Sequence, residues 1–146
     1  LATKREQILV ALHAAFGSLA GTAVTRNAPL TDFDAAGNSF ANLIDGTSGQ
    51  TDAFINPPTY EFTMTPALIL MVKGDDAAAR DAALDAMIEA ADAAMTAALA
   101  DGLGGLVTDI RVQPADYAPE ALWGAADMKG AELPIELDYW STSSLG

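Results

Sequence analysis

Residues 60–73 constrain the fold more than any other stretch of this chain. Side chains of a β-strand alternate between faces, and Tyr60, Phe62, Met64, Leu68, Leu70 and Val72 all fall on one of them, with Pro66 interrupting. That is a core face. The other face opens with Glu61, Thr63 and Thr65 and turns apolar at Ala67, Ile69 and Met71. An antiparallel strand at the surface keeps polar residues outward. The second face is therefore either closed within the subunit or covered by another chain. Pro66 has no amide hydrogen to donate, so it marks an edge, a bulge or the junction of two strands.

Gly74-Asp75 breaks the strand, and residues 76–100 read as a long helix. At about 100° per residue, Leu84, Met87, Ile88, Ala91, Met95 and Leu99 form a stripe directed at the sheet. Asp81, Asp85, Glu89 and Asp92 form an acidic stripe beside it. The remaining arc is alanine, at positions 79, 82, 83, 86, 90, 93, 94 and 97. Alanine has the highest helix propensity, and its small side chain lets another helix approach closely. Like charges four residues apart disfavour a helix, so the acidic stripe is either a solvated face or a surface with a use.

At 146 residues the chain reads as one domain, residues 1–146, large enough for a single core. It has no cysteine, which excludes disulfide and thiol chemistry. No apolar run reaches membrane-spanning length, and no membrane partner is expected. Twenty acidic residues against seven basic ones give a formal charge of −13. Such a surface repels nucleic acid and anionic lipid and favours solubility.

Taken in order, Thr3-Lys4-Arg5-Glu6 has the spacing of a capping box at a helix start. Ile8, Leu9, Leu12, Phe16 and Leu19 then share one side of a helix ending near Gly21, with Val10, Ala14 and Gly17 on the far side. The lone His13 sits at the stripe's edge with no nucleophile or ligand partner near it in sequence. Residues 22–27 and 40–45 read as strands, separated by a turn-rich connection over 28–38. Asp45-Gly46 supplies left-handed turn geometry. Residues 47–58, with Gly, Ser, Gln, Asn and two prolines, read as a mobile loop, yet hold Phe54 and Ile55. A solvated loop has no need of those two, which makes it a candidate partner loop.

After the long helix, Asp101-Gly102-Leu103-Gly104-Gly105 has glycines but follows a helix and lacks the Lys-Ser/Thr of a phosphate loop, so it reads as a helix stop. Residues 106–112 form a strand, 114–130 are irregular and hold Tyr117 and Trp123, and 131–139 alternate as a half-buried strand. The tail from Trp140 reads as loose. The fold class is α+β, a mostly antiparallel sheet of four to five strands with two helices on one face. The strand after the helix runs parallel to the central strand, either beside it or with another strand between.

Nucleophilic or metal chemistry needs a nucleophile beside a base, or a ligand cluster. The sequence offers neither, so no catalytic, metal or cofactor residue is assigned and the chain does not read as an enzyme. The order and spacing of several pieces resemble the tail terminator proteins of long-tailed phages and gene transfer particles, the minor tail protein U type. Those pieces are the opening helix with Val24-Thr25-Arg26-Asn27, Leu43-Ile44-Asp45-Gly46, and Pro58-Thr59-Tyr60-Glu61. The helix with Arg80-Asp81 and Leu84-Asp85, the segment 100–106, and the alternating Leu133, Ile135, Leu137 and Tyr139 complete them.

The resemblance implies a homohexameric ring on the head-proximal end of a tail tube, assembled in the bacterial cytoplasm. Such a ring stops tube growth and meets the head-completion or stopper protein, with DNA passing through unbound. In such a ring Ala67, Ile69, Met71, Ala86, Ala90 and Ala93 are expected at subunit interfaces, since unlike patches must meet. Asp81, Asp85, Glu89 and Asp92 are expected to face the lumen. The alternatives are another connector, such as a stopper or the tube protein itself, and more distantly a small transferase.

Overall fold

The computed structural model describes residues 2–29, 39–118 and 128–146. Its elements are α1 (Lys4–Phe16), β1 (Ser18–Leu19), β2 (Thr22–Arg26), β3 (Ser39–Ile44), β4 (Ser48–Phe54), β5 (Thr59–Met64) and β6 (Ala67–Lys73). There follow α2 (Ala77–Gly105), β7 (Asp109–Val112), β8 (Asp116–Ala118) and β9 (Met128–Ser141). The class is α+β and mostly antiparallel, as expected, but the sheet has nine strands among the described residues, not four to five.

The surplus has a simple origin: long ribbons are cut in the middle. β5 and β6 face β9 in one unbroken register, with Tyr60 opposite Ser141, Met64 opposite Leu137, Ala67 opposite Pro134 and Lys73 opposite Met128. Pro66 lies where the two segments meet, and its carbonyl accepts the Ile135 amide at 2.9 Å. β3 and β4 run along the other side of this ribbon, with Ile44 opposite Ala67 and Ser48 opposite Met64. Residues 39–73 are thus one long hairpin, turning at 55–58 and interrupted in both arms at the same level.

Gly46 makes that shared interruption possible. Its φ is +67°, and a Cβ there would lie 2.0 Å from the Thr65 carbonyl oxygen. The stretch expected to be a mobile loop is therefore strand β4 and a turn. Its composition concealed the strand, because β4 is exposed along nearly its whole length and has no buried face to impose alternation.

β9 is longer than its alternating pattern, beginning at Met128. It carries β8 on its first half and β7 on its second, on the side away from β5 and β6. β7 is consequently parallel to the β5–β6 ribbon with β9 between them, the second of the two arrangements expected. The described part of the 114–130 segment forms β8 and the start of β9; Trp123 and most of the 28–38 connection lie outside the described residues. One parallel pair, β2 with β3, joins the β1–β2 hairpin to the sheet.

α1 and α2 cover the same face. Ile8, Leu9, Leu12 and Phe16 of α1 and Leu84, Met87, Ala91 and Met95 of α2 form one cluster with Phe62, Met64, Leu68, Leu70, Val72, Leu133, Ile135, Leu137 and Tyr139. Thr3 caps α1, its hydroxyl accepting the Glu6 amide at 3.2 Å, and Asp76 caps α2. The right-handed helix stops before Gly102, since Gly102, Leu103 and Gly104 all have positive φ. That left-handed turn folds Leu103 back into the core.

Leu99, expected on the apolar stripe, is 54% exposed. The stripe is centred on Met87, Ala91 and Ala98, and Leu99 falls well to one side of it. Arg80 lies on that stripe and is buried, donating to the Gly74 carbonyl oxygen. Val112 is 40% exposed at the end of β7. The tail is not loose: Ser143 to Gly146 make a turn, with the Gly146 amide donating to Ser143, and Gly146 is buried near the Tyr139 hydroxyl.

Candidate interaction surfaces

The most elaborate polar groups of the molecule hold the fold together. Arg26 on β2 donates Nη1 and Nη2 to the two carboxylate oxygens of Glu6 at 2.8 and 2.9 Å, and Nε and Nη2 to those of Asp45 at 2.8 and 2.9 Å. Planar guanidinium and carboxylate groups match in this two-pronged geometry. The hydrogen bonds from Arg26 hold both carboxyls below their ordinary range, and the paired acids raise Arg26. Arg5 adds a bond to the Gly46 carbonyl at 3.1 Å, and Asn27 accepts the Asp45 amide at 3.1 Å. One cluster thus ties α1 and β2 to the interruption of the long hairpin.

A second cluster lies on the sheet face away from α1 and α2. Arg111 of β7 pairs with Asp109, with Glu136 at 3.1 Å and with Asp138 at 2.8 Å. Thr63 of β5 donates to Asp138 at 2.7 Å. Arg111 holds the Asp138 carboxyl low, with help from Thr63. Three neighbouring strands are thereby tied across that face. His13 also serves the fold, with Nε2 donating to the Val24 carbonyl oxygen at 2.6 Å. Among the described residues no group of His, Asp or Glu is arranged to hold a metal ion, and no helix is long and apolar enough to cross a membrane.

The surfaces singled out from sequence fall in four places. Phe54 and Ile55 stand at the hairpin tip, 46% and 85% exposed, and Phe54 stacks on Trp140 with ring centroids 5.3 Å apart. Ala67 and Ile69 are half-buried on the sheet face away from α1 and α2. Met71 belongs with Phe40 and Met128 in a second small core and is fully buried. It has no surface left for a neighbour.

Ala86 and Ala93 are exposed on α2, while Ala90 is half-buried. Further along α2, Ala94, Ala97 and Ala98 line a cleft against Ala11, Ala14 and Ala15 of α1, with a volume of about 400 Å³. Small residues let the two helices pack directly, as the alanine arc implied. Val10 remains 53% exposed on the outer side of α1.

Asp81, Asp85, Glu89 and Asp92 are all exposed, on the side of α2 that looks toward β7 and β8. Asp81 takes the Lys129 ammonium at 2.5 Å, and that ammonium also stands 5.8 Å from the centre of the Tyr117 ring. Lys129 and Trp140 are the residues at these surfaces that sequence reasoning missed. Lys129 precedes the alternating pattern, and Trp140 follows it by one position.

No protein-family model matches this chain, and no curated protein matches it. A solved structure described as the virion of a native gene transfer agent particle contains a chain similar to it. The two share 15% identity with a TM-score of 0.42, over 95% of this chain and 92% of that one. A likeness of that degree leaves the function to be argued from this chain's own residues.

Proposed function

We propose that this protein is a structural component of a phage-like tail, acting as a terminator ring at the head-proximal end of the tube. The observation that carries the reading is the division of labour in the polar and apolar surface. The arginine clusters are spent on the fold, while large apolar side chains stand out at the hairpin tip, away from the core. Contiguous exposed apolar groups mark contact sites. In this reading Phe54, Ile55 and Trp140 meet a neighbouring ring or tube end. The exposed Ala86 and Ala93, with Ala67 and Ile69 on the other side of the sheet, meet adjacent copies, since a ring needs unlike patches to close. A charge of −13 keeps passing DNA from adhering.

A second reading has one specific feature in its favour. The β4–β5 arm is a long hairpin, and an arm of that kind suits a tube or stopper subunit that engages the next ring. Mixing purified protein with tail-tube subunits separates the two. A terminator arrests tube growth at substoichiometric amounts, counted by electron microscopy as shorter tubes capped at one end. A tube protein enters the tube instead, and growth continues. Phe54→Ser with Ile55→Ser abolishes either effect. Retention of full capping by that double variant would rule the tip out as the contact.

A further inference from the structure

Between α2 and the segment joining β7 to β8 lies an open groove of about 420 Å³. Ile88 and Leu133 form its apolar floor with Val112, Pro114 and Ala115, and Glu89 and Asp92 stand along its helix side. Among the described residues neither carboxylate makes an ion pair and no basic side chain lines the groove. Farther along the same stripe, the Lys129 ammonium already sits between a carboxylate and an apolar ring. Among the described residues β7 has β9 as its only strand partner, so no described strand pairs with its other edge, which runs beside the groove. An extended main chain can lie along such an edge while its side chains enter a neighbouring pocket.

We propose that this groove docks an extended segment of a different protein, which places one aliphatic or aromatic side chain against Ile88 and Leu133 and sets flanking lysine or arginine against Glu89 and Asp92. The groove's volume lies in the range of ligand pockets, and its charge selects the flanks. This gives Glu89 and Asp92 a recognition role in place of the lumen-facing one expected from sequence. It lies apart from the hairpin tip, so it stands or falls independently of the terminator reading.

The test uses the full chain and a fluorescent six-residue peptide carrying leucine between two lysines, read by anisotropy. Two control peptides replace both lysines by glutamate or the leucine by serine. The lysine–leucine peptide is expected to bind saturably, at least tenfold tighter than either control. Glu89→Lys with Asp92→Lys reverses the preference between lysine and glutamate flanks. Asp52→Lys with Asp75→Lys makes the same change in net charge elsewhere and leaves it intact. The proposal is overturned by absence of saturable binding, by equal binding of the serine peptide, or by equal effects of the two double variants. The last result would mean that overall charge, not the groove, attracts the peptide.

Discussion

Gly46 separates two costs that are usually confounded at glycine. Its positive φ strains any L side chain, and its Cβ would also collide with the Thr65 backbone. Gly104 has a similar φ of +70° but nothing within 4 Å. Gly104→Ala should therefore carry the conformational cost alone, about 1–2 kcal/mol. Gly46→Ala adds a backbone clash that only movement of the hairpin arms relieves, and should cost roughly 2–4 kcal/mol. Urea midpoints of the two variants check the contrast, and equal losses would show that the arms separate freely. Also at this scale, the Glu6, Asp45 and Asp138 carboxyls are held low when folded. A depressed folded pKa contributes stability above the unfolded value of about 4. That contribution is lost as pH falls through the folded values. Unfolding free energy should thus drop below about pH 4. In Arg26→Met, where Glu6 and Asp45 lose their partner, the drop over the same range should be shallower while stability at pH 7 is lower. Parallel curves for the two proteins would show that Arg26 does not set these carboxyls.

Among the elements, the ribbon and the helices were legible to different degrees for physical reasons. A strand with one buried face writes its alternation into the sequence, and residues 60–73 and 131–139 did so, with Pro66 marking the break. β4 has almost no buried face, so nothing in Ser48-Gly49-Gln50-Thr51-Asp52 distinguished strand from loop; only Phe54 and Ile55 hinted at a purpose. β1 and β8 are too short to carry a period. The acidic stripe of α2 was visible, but the groove beside it was not, because Val112, Pro114, Ala115 and Leu133 come together only through the β7–β9 pairing. In α2 the period was clear but its centre was not, since alanine is at home on every face. The placement of Leu99 tests this. Leu84 is buried in the main cluster, and Leu84→Ala should cost about 3 kcal/mol through lost contacts and a cavity. Leu99→Ala should stay within about 0.5 kcal/mol. A comparable loss at Leu99 in the isolated chain would move it back into the core.

For the whole molecule, charge and apolar surface pull in opposite directions. Copies each carrying −13 repel one another, and the exposed apolar and alanine surfaces attract. The range of the repulsion is set by salt: the screening length is about 30 Å at 0.01 M and about 3 Å at 1 M. Apolar attraction is not weakened by such screening. If copies of this chain meet through Ala67, Ile69, Ala86 and Ala93, added sodium chloride should promote association. Sedimentation equilibrium of the full chain is expected to show a mass near that of one chain at 10 mM salt and a higher mass at 0.5 M. Ala86→Glu with Ala93→Glu, which places charge on the exposed alanine arc without entering the core, should hold the mass at the single-chain value throughout. An oligomer that instead comes apart as salt is raised would mean that ion pairs make the contact. The alanine arc would then have no part in holding copies together.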